Sequence, residues 1–411
     1  MTTMKTFKYR LYPNKEQREK LTWTLERCCE VYNAALQERR DTYEIAVKRH
    51  PNYYDDETRK QLTKEHAISL YDQQNQLSPI KQLRTEYLDL TAAHILNDVC
   101  KRVDLAFKRF FDRVKRGQKP GYPRFRSRSR YDSFTYPDKS GWKLTLSGTN
   151  KRGKLDLTRI GLVPILFHRP IEGTVKTCTI KREGEHWYVT LACEIEQPEK
   201  LPVSYEDVGI DLGVTHFAAL SDGTFIENPR YFRKSEKKLE KHQQSLARKK
   251  RGSNRRKKAV RLVARTHRKV RNQRKDFLHK ASRKLVNTHQ VIVFEDLQTA
   301  NLVKRPKTKQ DEETGQYLPN GASAKSGLNK SISDAGWSQF VQLCTYKAAW
   351  AGRTLLQVDP KYTSQVCSGC GTVRKKSLDE RWHSCECGTE LDRDTNAAIN
   401  ILKRGRQVLS S

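Results

Sequence analysis

The sequence predicts a multidomain α+β protein, and three observations carry that prediction. Two long stretches, about 15–114 and 231–284, have helical apolar spacing, whereas the segments between and after them alternate or run apolar as strands do. At 411 residues the chain is long enough for two or three separate cores. A short linker with two prolines, "QPEKLPVSYED", ends the first strand-rich region and marks a domain boundary there.

In chain order, "KTFKYRLYP" sets Phe7, Tyr9 and Leu11 against basic residues, so it reads as a strand that Pro13 and Asn14 stop. Leu21, Leu25, Cys28, Val31 and Ala35 then form one helical stripe. Ile95, Val99, Val103, Ala106 and Phe110 form another, whose opposite face turns basic through Lys101, Arg102, Lys108 and Arg109. "GQKPGYPRFRSRSR" (117 to 130) breaks that helix with Gly and Pro and lays arginines around aromatics. Strands follow to about 200, clearest in "VKTCTIKREGEHWYVTLACEIE", a hairpin turning at Arg182-Glu183-Gly184-Glu185.

After the linker, "VGIDLGVTHFAALSDGTFI" reads as strand, tight turn and strand. Residues 231–284 hold 23 Lys and Arg against 3 acids, a net +20. Leu239 and Leu246, then Val263, Val270 and Phe277, recur every seven residues around Gly252-Ser253-Asn254, which gives an antiparallel helical hairpin with a narrow apolar seam. "HQVIVFEDL" is nearly all apolar, as a strand buried on both faces should be. Residues 304–330 are polar and bear Gly and Pro, so a mobile loop is expected. "SISDAGWSQFVQLCTYKAAWAG" returns to helix, with Ser333 or Asp334 as its cap. "RTLLQVDP" is a strand, and "TNAAINILKRG" is the final helix.

A formal charge of +33 dominates the composition, with only 36% apolar and 9% aromatic residues. A compact fold so charged repels itself unless an anion screens it, and nucleic acid is the partner that fits; a ribosome-type binder without chemistry is the bland alternative. A charge run is ordinarily a solvated face, but the near-uniform sign of 231–284 points to phosphate-backbone contact. No window approaches the roughly 20 apolar residues of a membrane span. "MTTMKTFKYRLYPNKEQ" lacks the apolar core of a signal peptide, so a cytoplasmic protein with thiol or metal-bound cysteines is expected. Cys28, Cys29, Cys100, Cys178, Cys193 and Cys344 sit in apolar settings and read as core.

"CSGC" supplies Cys367 and Cys370, and "CEC" supplies Cys385 and Cys387. Two short turns delivering four sulfurs suit a tetrahedral Zn2+, although C-x-C makes a tighter chelate than the commoner C-x-x-C. Four thiolates leave no open position for water, so such a zinc is structural. Separately, Asp211 interrupts an apolar strand, Glu295 and Asp296 end another, and Asp392 and Asp394 start a helix. A buried carboxylate is costly unless it binds a cation or partner, and three such places favour a shared Mg2+ (or Mn2+) site for phosphodiester hydrolysis. Glu295 and Asp296 face opposite ways on a strand, so only one can serve. On the helix, Asp394 shares a face with Ala398 and Ile401 whereas Asp392 lies about 200° away, which favours Asp394.

"GIDLGVTHFAALSDG", "VIVFEDL", "SISDAGWSQFVQLCTYKAAWAGRTLLQVDPKYTSQVCSGCG" and "LDRDTNAAINIL" resemble the RuvC-type nuclease and zinc ribbon of TnpB. These are transposon-encoded, RNA-guided DNA endonucleases related to the type V CRISPR effectors; "KYRLYPNKEQREKL" and "KPGYPRFRSR" extend the likeness over nearly the whole chain. The resemblance implies an RNase H-like (RuvC) α/β nuclease domain over 205–360 and 389–411, with a zinc ribbon at 361–388 inserted. It further implies a wedge β-barrel from 1–12 and 120–200, with a helical recognition lobe at 13–119 between.

It implies catalytic, metal-holding roles for Asp211, Glu295 and Asp394, guide RNA from the transposon end, and cutting of double-stranded DNA beside a short motif that the protein reads. The oligomeric state stays open, with one protein per guide RNA favoured, and DNA binding would associate the protein with the nucleoid. Asn97 lies on the helix that would face the motif duplex, and Asn can pair with adenine. Arg124 and Arg126 would hold phosphates; Lys249, Arg255, Arg256 and Arg393 are further candidate nucleic-acid contacts. The 304–327 segment falls where the family has a loop near the catalytic cleft. Rival readings are a guided binder without cleavage, a strand-joining transposase and a structural zinc-ribbon RNA binder.

Overall fold

The computed structural model describes residues 2–49, 55–85, 93–146, 152–377 and 380–410. The parts of the predicted helical stretch at 50–54 and 86–92 lie outside the described residues. The chain divides into two compact units, Met1–Gln197 and Pro198–Ser411, so the break falls in the proline-bearing linker as predicted.

In the first unit, β1 (Thr2–Leu11) joins β2 (Ser133–Tyr136), β3 (Trp142–Leu146), β4 (Arg152–Leu157), β5 (Gly161–Leu166), β6 (Thr174–Glu183) and β7 (His186–Glu196). They form one antiparallel sheet in the order β2-β6-β7-β1-β5-β4-β3. The alternation in β1 buries Phe7, Tyr9 and Leu11 as expected. The β6–β7 hairpin turns at Gly184, whose φ of +64° suits glycine. Asn14 ends β1 by capping α1 (Lys15–Thr42) in a reciprocal box with Gln17.

Short helices α2 (Asp56–Glu65), α3 (Leu70–Asn75) and α4 (Leu77–Leu83) lead to α5 (Ala93–Lys115). Leu21 and Leu25 of α1 and Ile95, Leu96, Val99 and Val103 of α5 join the core of the sheet. The six scattered cysteines are all buried. Arg102, expected on a basic face, instead donates to Asp98, to Ser133 O and to Thr135 Oγ1, tying α5 to β2.

In the second unit, β8 (Asp207–Leu212), β9 (His216–Leu220), β10 (Phe225–Glu227), β11 (Val291–Glu295) and β14 (Thr354–Val358) form a mixed sheet in the order β10-β9-β8-β11-β14. β8, β11 and β14 are parallel, and β9 and β10 continue antiparallel. The predicted basic hairpin is α6 (Tyr231–Ala247) and α7 (Asn254–Thr288), closed on buried Leu239, Ala259 and Val270.

Residues 304–330 correct the loop expectation. They form a small hairpin, β12 (Lys309–Gln310) with β13 (Tyr317–Leu318), and then α9 (Ala322–Ala335), which follows the one-turn α8 (Thr299–Leu302). The polar, glycine-bearing α9 has weak propensity, so tertiary anchors hold it. Asn329 donates to Val303 O, Arg233 donates to Gly327 O, and Lys330 pairs with Glu236. Gly336, at φ +74°, separates α9 from α10 (Trp337–Ala351), so neither Ser333 nor Asp334 caps the α10 helix. Asp334 caps another helix: its carboxylate accepts from Phe232 N at 2.9 Å, at the start of α6, and from Arg274 at 2.8 Å.

The last elements are a ribbon of β15 (Trp382–Ser384) with β16 (Glu390–Asp392), and α11 (Arg393–Ser410). Ile210, Ile292 and Phe294 pack on one side of the sheet with Leu278 of α7 and Phe340 of α10. Val293 and Val358 pack on the other side with Ile401 of α11.

Candidate functional site

The register of the parallel pair brings two carboxylates together. Ile210 on β8 lies opposite Phe294 on β11, so the next residues, Asp211 and Glu295, stand side by side at the carboxyl ends of their strands. Alternation sends both toward α11. Gly209, two before Asp211, lies so near that a Cβ there would be 2.0 Å from Ala398 O. Val293, two before Glu295, packs on Ile401, and a Cβ on Gly405 would be 2.4 Å from its Cγ2. One glycine on the strand and one on the helix thus let α11 lie close to the sheet.

α11 carries the third carboxylate in its first turn. Asp392 Oδ1 accepts from Asp394 N at 2.8 Å and Thr395 N at 3.2 Å, so Asp392 caps the helix. Asp394 sits in the first turn, on the face of the fully buried Ala398 and Ile401. Asp296, by contrast, is exposed, and its carboxylate meets Gln298. Of each acidic pair, the sheet-facing members are Glu295 and Asp394.

The three groups interact electrically. Burial pushes the Asp211 carboxyl well above the usual carboxylate range; Glu295 and then Asp394 add to the rise, and Arg393 opposes it. Burial also raises Glu295, against the Thr363 hydroxyl and Arg404. A hard divalent cation beside Asp211 would offset both its burial and its acidic neighbours, although the three carboxylates do not come as close together as the four cysteines do.

The four cysteines form a separate centre. Their sulfurs all lie within 4.8 Å of one another, the one such cluster among the described residues. Cys367–Cys387 and Cys370–Cys385 are each 3.6 Å apart, close to the roughly 3.8 Å edge of a tetrahedron with 2.3 Å Zn–S bonds. Burial opposes ionisation of Cys367, but the N–H of Cys370, His383, the N–H of Gly369 and Thr389 draw its thiol down to about 5. A Cβ on Gly369 would fall 2.1 Å from Thr389 Oγ1, so any side chain there would displace Thr389 inside this knuckle. The donor set therefore fits a closed zinc site, and C-x-C is no obstacle to it.

Buried polar groups that the sequence reading passed over tie the two centres together. Asn396 Oδ1 accepts from Ser368 N at 2.8 Å, and its Nδ2 donates to Val366 O at 2.8 Å. One turn on, Asn400 donates to Thr363 O at 2.9 Å and Val366 O at 2.7 Å. Lys403 reaches Ser368 O as well. The first cysteine knuckle is thereby clamped along the helix that carries Asp394. Little in the sequence marks them: at 100° per residue Asn396 and Asn400 share a helix face with Arg393, Lys403 and Arg404, away from Ala398 and Ile401, where polar side chains are ordinarily solvated.

The candidate nucleic-acid contacts divide. Arg124, Arg126 and Arg255 are exposed, and Asn97 and Lys249 are half-buried. Arg256 donates to Leu246 O and Lys249 O, both at 3.0 Å, and so holds the turn of the α6–α7 hairpin. Arg393 donates to Glu380 O at 3.0 Å and lies 3.5 Å from Asp394 Oδ1, between the ribbon and the carboxylates.

Comparisons with known proteins bear on the same regions. A family model described as "Probable transposase" (OrfB_IS605) matches residues 190–306, the Cas12f1-like TNB domain matches 337–401, and a helix-turn-helix domain model matches 1–46. A Streptomyces pristinaespiralis protein named "Putative RNA-guided DNA endonuclease" is 34% identical over 98% of this chain and 89% of its own length. An Escherichia coli K12 protein named "Putative RNA-guided DNA endonuclease InsQ" is 31% identical over 100% of this chain and 94% of its own. Among solved structures, a Cas12f1–sgRNA–target DNA complex superposes with a TM-score of 0.51 at 14% identity, covering 97% of this chain and 98% of that one, a likeness of fold.

Proposed function

The chain belongs to the TnpB family of RNA-guided DNA endonucleases, and from that premise we propose that it cuts double-stranded DNA beside a short transposon-adjacent motif, using divalent metal and guide RNA from the transposon end. The observation that carries this reading is the juxtaposition of Asp211 and Glu295 on adjacent parallel strands, under the helix that carries Asp394 in its first turn.

Asp211, Glu295 and Asp394 would hold Mg2+ or Mn2+. The bound ions supply Lewis-acid activation of water and neutralise charge on the leaving oxygen. The chain's own groups do the rest. Asp392 caps α11 and so fixes the direction of Asp394. Thr363 orients Glu295 and favours its ionised form. Arg393 is the cation beside Asp394 that lowers the cost of three neighbouring negative charges. Zinc on Cys367, Cys370, Cys385 and Cys387 would brace the ribbon from which α11 starts.

On this reading 205–360 and 389–411 are the RNase H-like (RuvC) nuclease, and 361–388 is the zinc ribbon. Residues 1–12 and 120–200 are the wedge, and 13–119 the recognition lobe. The +20 segment at 231–284 lines the channel for the guide–target duplex, with one protein per guide. No helix among the described residues is long and apolar enough to cross a membrane.

The test is cleavage of a plasmid bearing the matched target by protein loaded with transposon-end RNA, with magnesium present. Cutting that Asp211→Asn abolishes is the expected result. A correctly loaded complex that binds but never cuts would mark a guided repressor, and joined strands would mark a transposase.

A further inference from the structure

We propose that the end of α5 and the 117–126 segment after it form a stacking platform for unpaired nucleotides. The proposal rests on the reading of the chain as a nucleic-acid-guided protein and adds a surface to it.

Phe107, Phe110, Phe111 and Val114 recur at helical spacing along α5. Phe107 still packs against the core of the first unit. Beyond it the apolar face continues into solvent: Phe111 is 51% exposed and Val114 50%. The following segment folds back on this face. The Tyr122 ring meets Phe107 and Phe110 edge-on, with centroids 5.7 and 5.3 Å away, yet Tyr122 stays 42% exposed and Phe125 44%. Phe107, Phe110, Phe111 and Tyr122 are thus gathered in mutual contact, beyond the scattered single apolar residues normal for a soluble protein, and the exposed Phe125 follows three residues after Tyr122.

The rings are held in place. Asn33 of α1 donates to Arg126 O and accepts from Arg126 N, each at 2.9 Å, as a neighbouring strand would. Cys29 Sγ adds a bond to the same carbonyl at 3.2 Å. A segment without regular secondary structure is therefore fixed at one end by α1 and at the other by edge-on ring contacts. A ligand that stacks on it meets a surface already ordered.

Charge narrows the occupant. Residues 108–130 contain ten Lys and Arg against one acid, Asp112, and all ten are exposed. A second copy of the chain would bring the same ten cations against these. A duplex would use the cations but hide its base faces from the rings. A strand with unpaired bases uses both, with phosphates on Arg and Lys and bases on Phe and Tyr.

The experiment uses the full-length protein and two 12-nucleotide probes, oligo-U RNA with 4-thiouridine and oligo-dT DNA with 4-thiothymidine, each alone or annealed to its complement. Photocross-links are mapped by mass spectrometry, and affinity is read by anisotropy at raised salt. Cross-links at Phe111, Tyr122 or Phe125 with an unpaired probe, lost on annealing, are the expected result; whichever probe reacts identifies the strand. Phe111→Ala with Phe125→Ala should weaken binding of the unpaired probe about fivefold or more without changing its salt slope. Phe111→Tyr should retain binding and Phe111→Leu should not, so a folding defect is separable from lost stacking.

Absence of cross-links in this patch, or equal losses for paired and unpaired probes, overturns the proposal. So does a change in sedimentation of the full chain with no change in probe binding, which would make the patch a self-association face. None of these readouts requires cleavage, so a failure here is distinct from failure of the nuclease reading.

Discussion

Thr363 donates its hydroxyl hydrogen to Glu295 Oε1 at 2.5 Å, and both side chains are buried. The same hydroxyl is 3.2 Å from Pro360 O, so its orientation is set from two sides. Thr363→Val keeps the shape and removes the bond. The carboxylate then loses the donor that opposes its desolvation, and Mn2+ affinity of the carboxylate centre should fall about tenfold or more. Zinc content should not change. Electron paramagnetic resonance titration with Mn2+ checks this, and unaltered affinity would contradict the assigned role.

The amides of Asn396 and Asn400 make the cysteine knuckle part of the footing of α11. Asn400→Ala removes the amide that donates to Thr363 O, whereas Val366 O keeps Asn396 Nδ2. A loss of about 1–3 kcal/mol in urea unfolding is expected. Stripping zinc with a chelator should lower Mn2+ affinity at the carboxylates along with thermal stability. Zinc-free protein that binds Mn2+ as tightly as before would show the two centres to be independent.

Gly209 sits where strand and helix are closest. In Gly209→Ala the new methyl meets Ala398 O and Leu402, so α11 must move off the sheet and carry Asp394 with it. Destabilisation of about 1–3 kcal/mol, together with loss of cleavage, is the expected outcome in paired unfolding and activity assays.

Lys347 is 5% exposed, and its Nζ donates to His279 O and Ser282 Oγ at 2.7 Å each. Burial, with Arg283 nearby, lowers its pKa to about 8. The unfolded chain keeps this proton to about pH 10.4. Between those values the unfolded state binds more protons, so the contribution of Lys347 to stability rises with pH; below about 8 the charged form is buried at full cost. From pH 7 to pH 10, the stability difference from Lys347→Met should shift toward the parent by about 1–3 kcal/mol. Urea unfolding at both pH values checks this, and a constant difference would contradict it.

What the sequence made legible were local patterns. The apolar runs around Asp211 and Glu295 became β8 and β11, and helical geometry separated Asp394 from its capping neighbour Asp392. Contacts between distant segments were not legible. Asp334 looked like a cap for its own helix because only chain neighbours are visible in a sequence, yet it caps a helix about 100 residues earlier. α9 was hidden because its polar, glycine-bearing composition is stabilised by α6 and α7, not by propensity. Arg102 was read as part of a basic face and Arg256 as a nucleic-acid contact, but a guanidinium with several donors also satisfies backbone carbonyls. Thr363 carries no local sign of its partner Glu295, 68 residues away.

The central claim is that Asp211, Glu295 and Asp394 act as one metal centre while Asp392 only directs the helix. The most direct measurement is guide-loaded cleavage by Asp211→Asn, Glu295→Gln, Asp394→Asn, Asp392→Asn and the Asp211→Asn/Asp394→Asn double variant. Each of the first three should lose activity about 10³-fold or more, the double variant should be no worse than the singles, and Asp392→Asn should keep measurable cutting. An active Asp394→Asn beside an inactive Asp392→Asn would contradict the account.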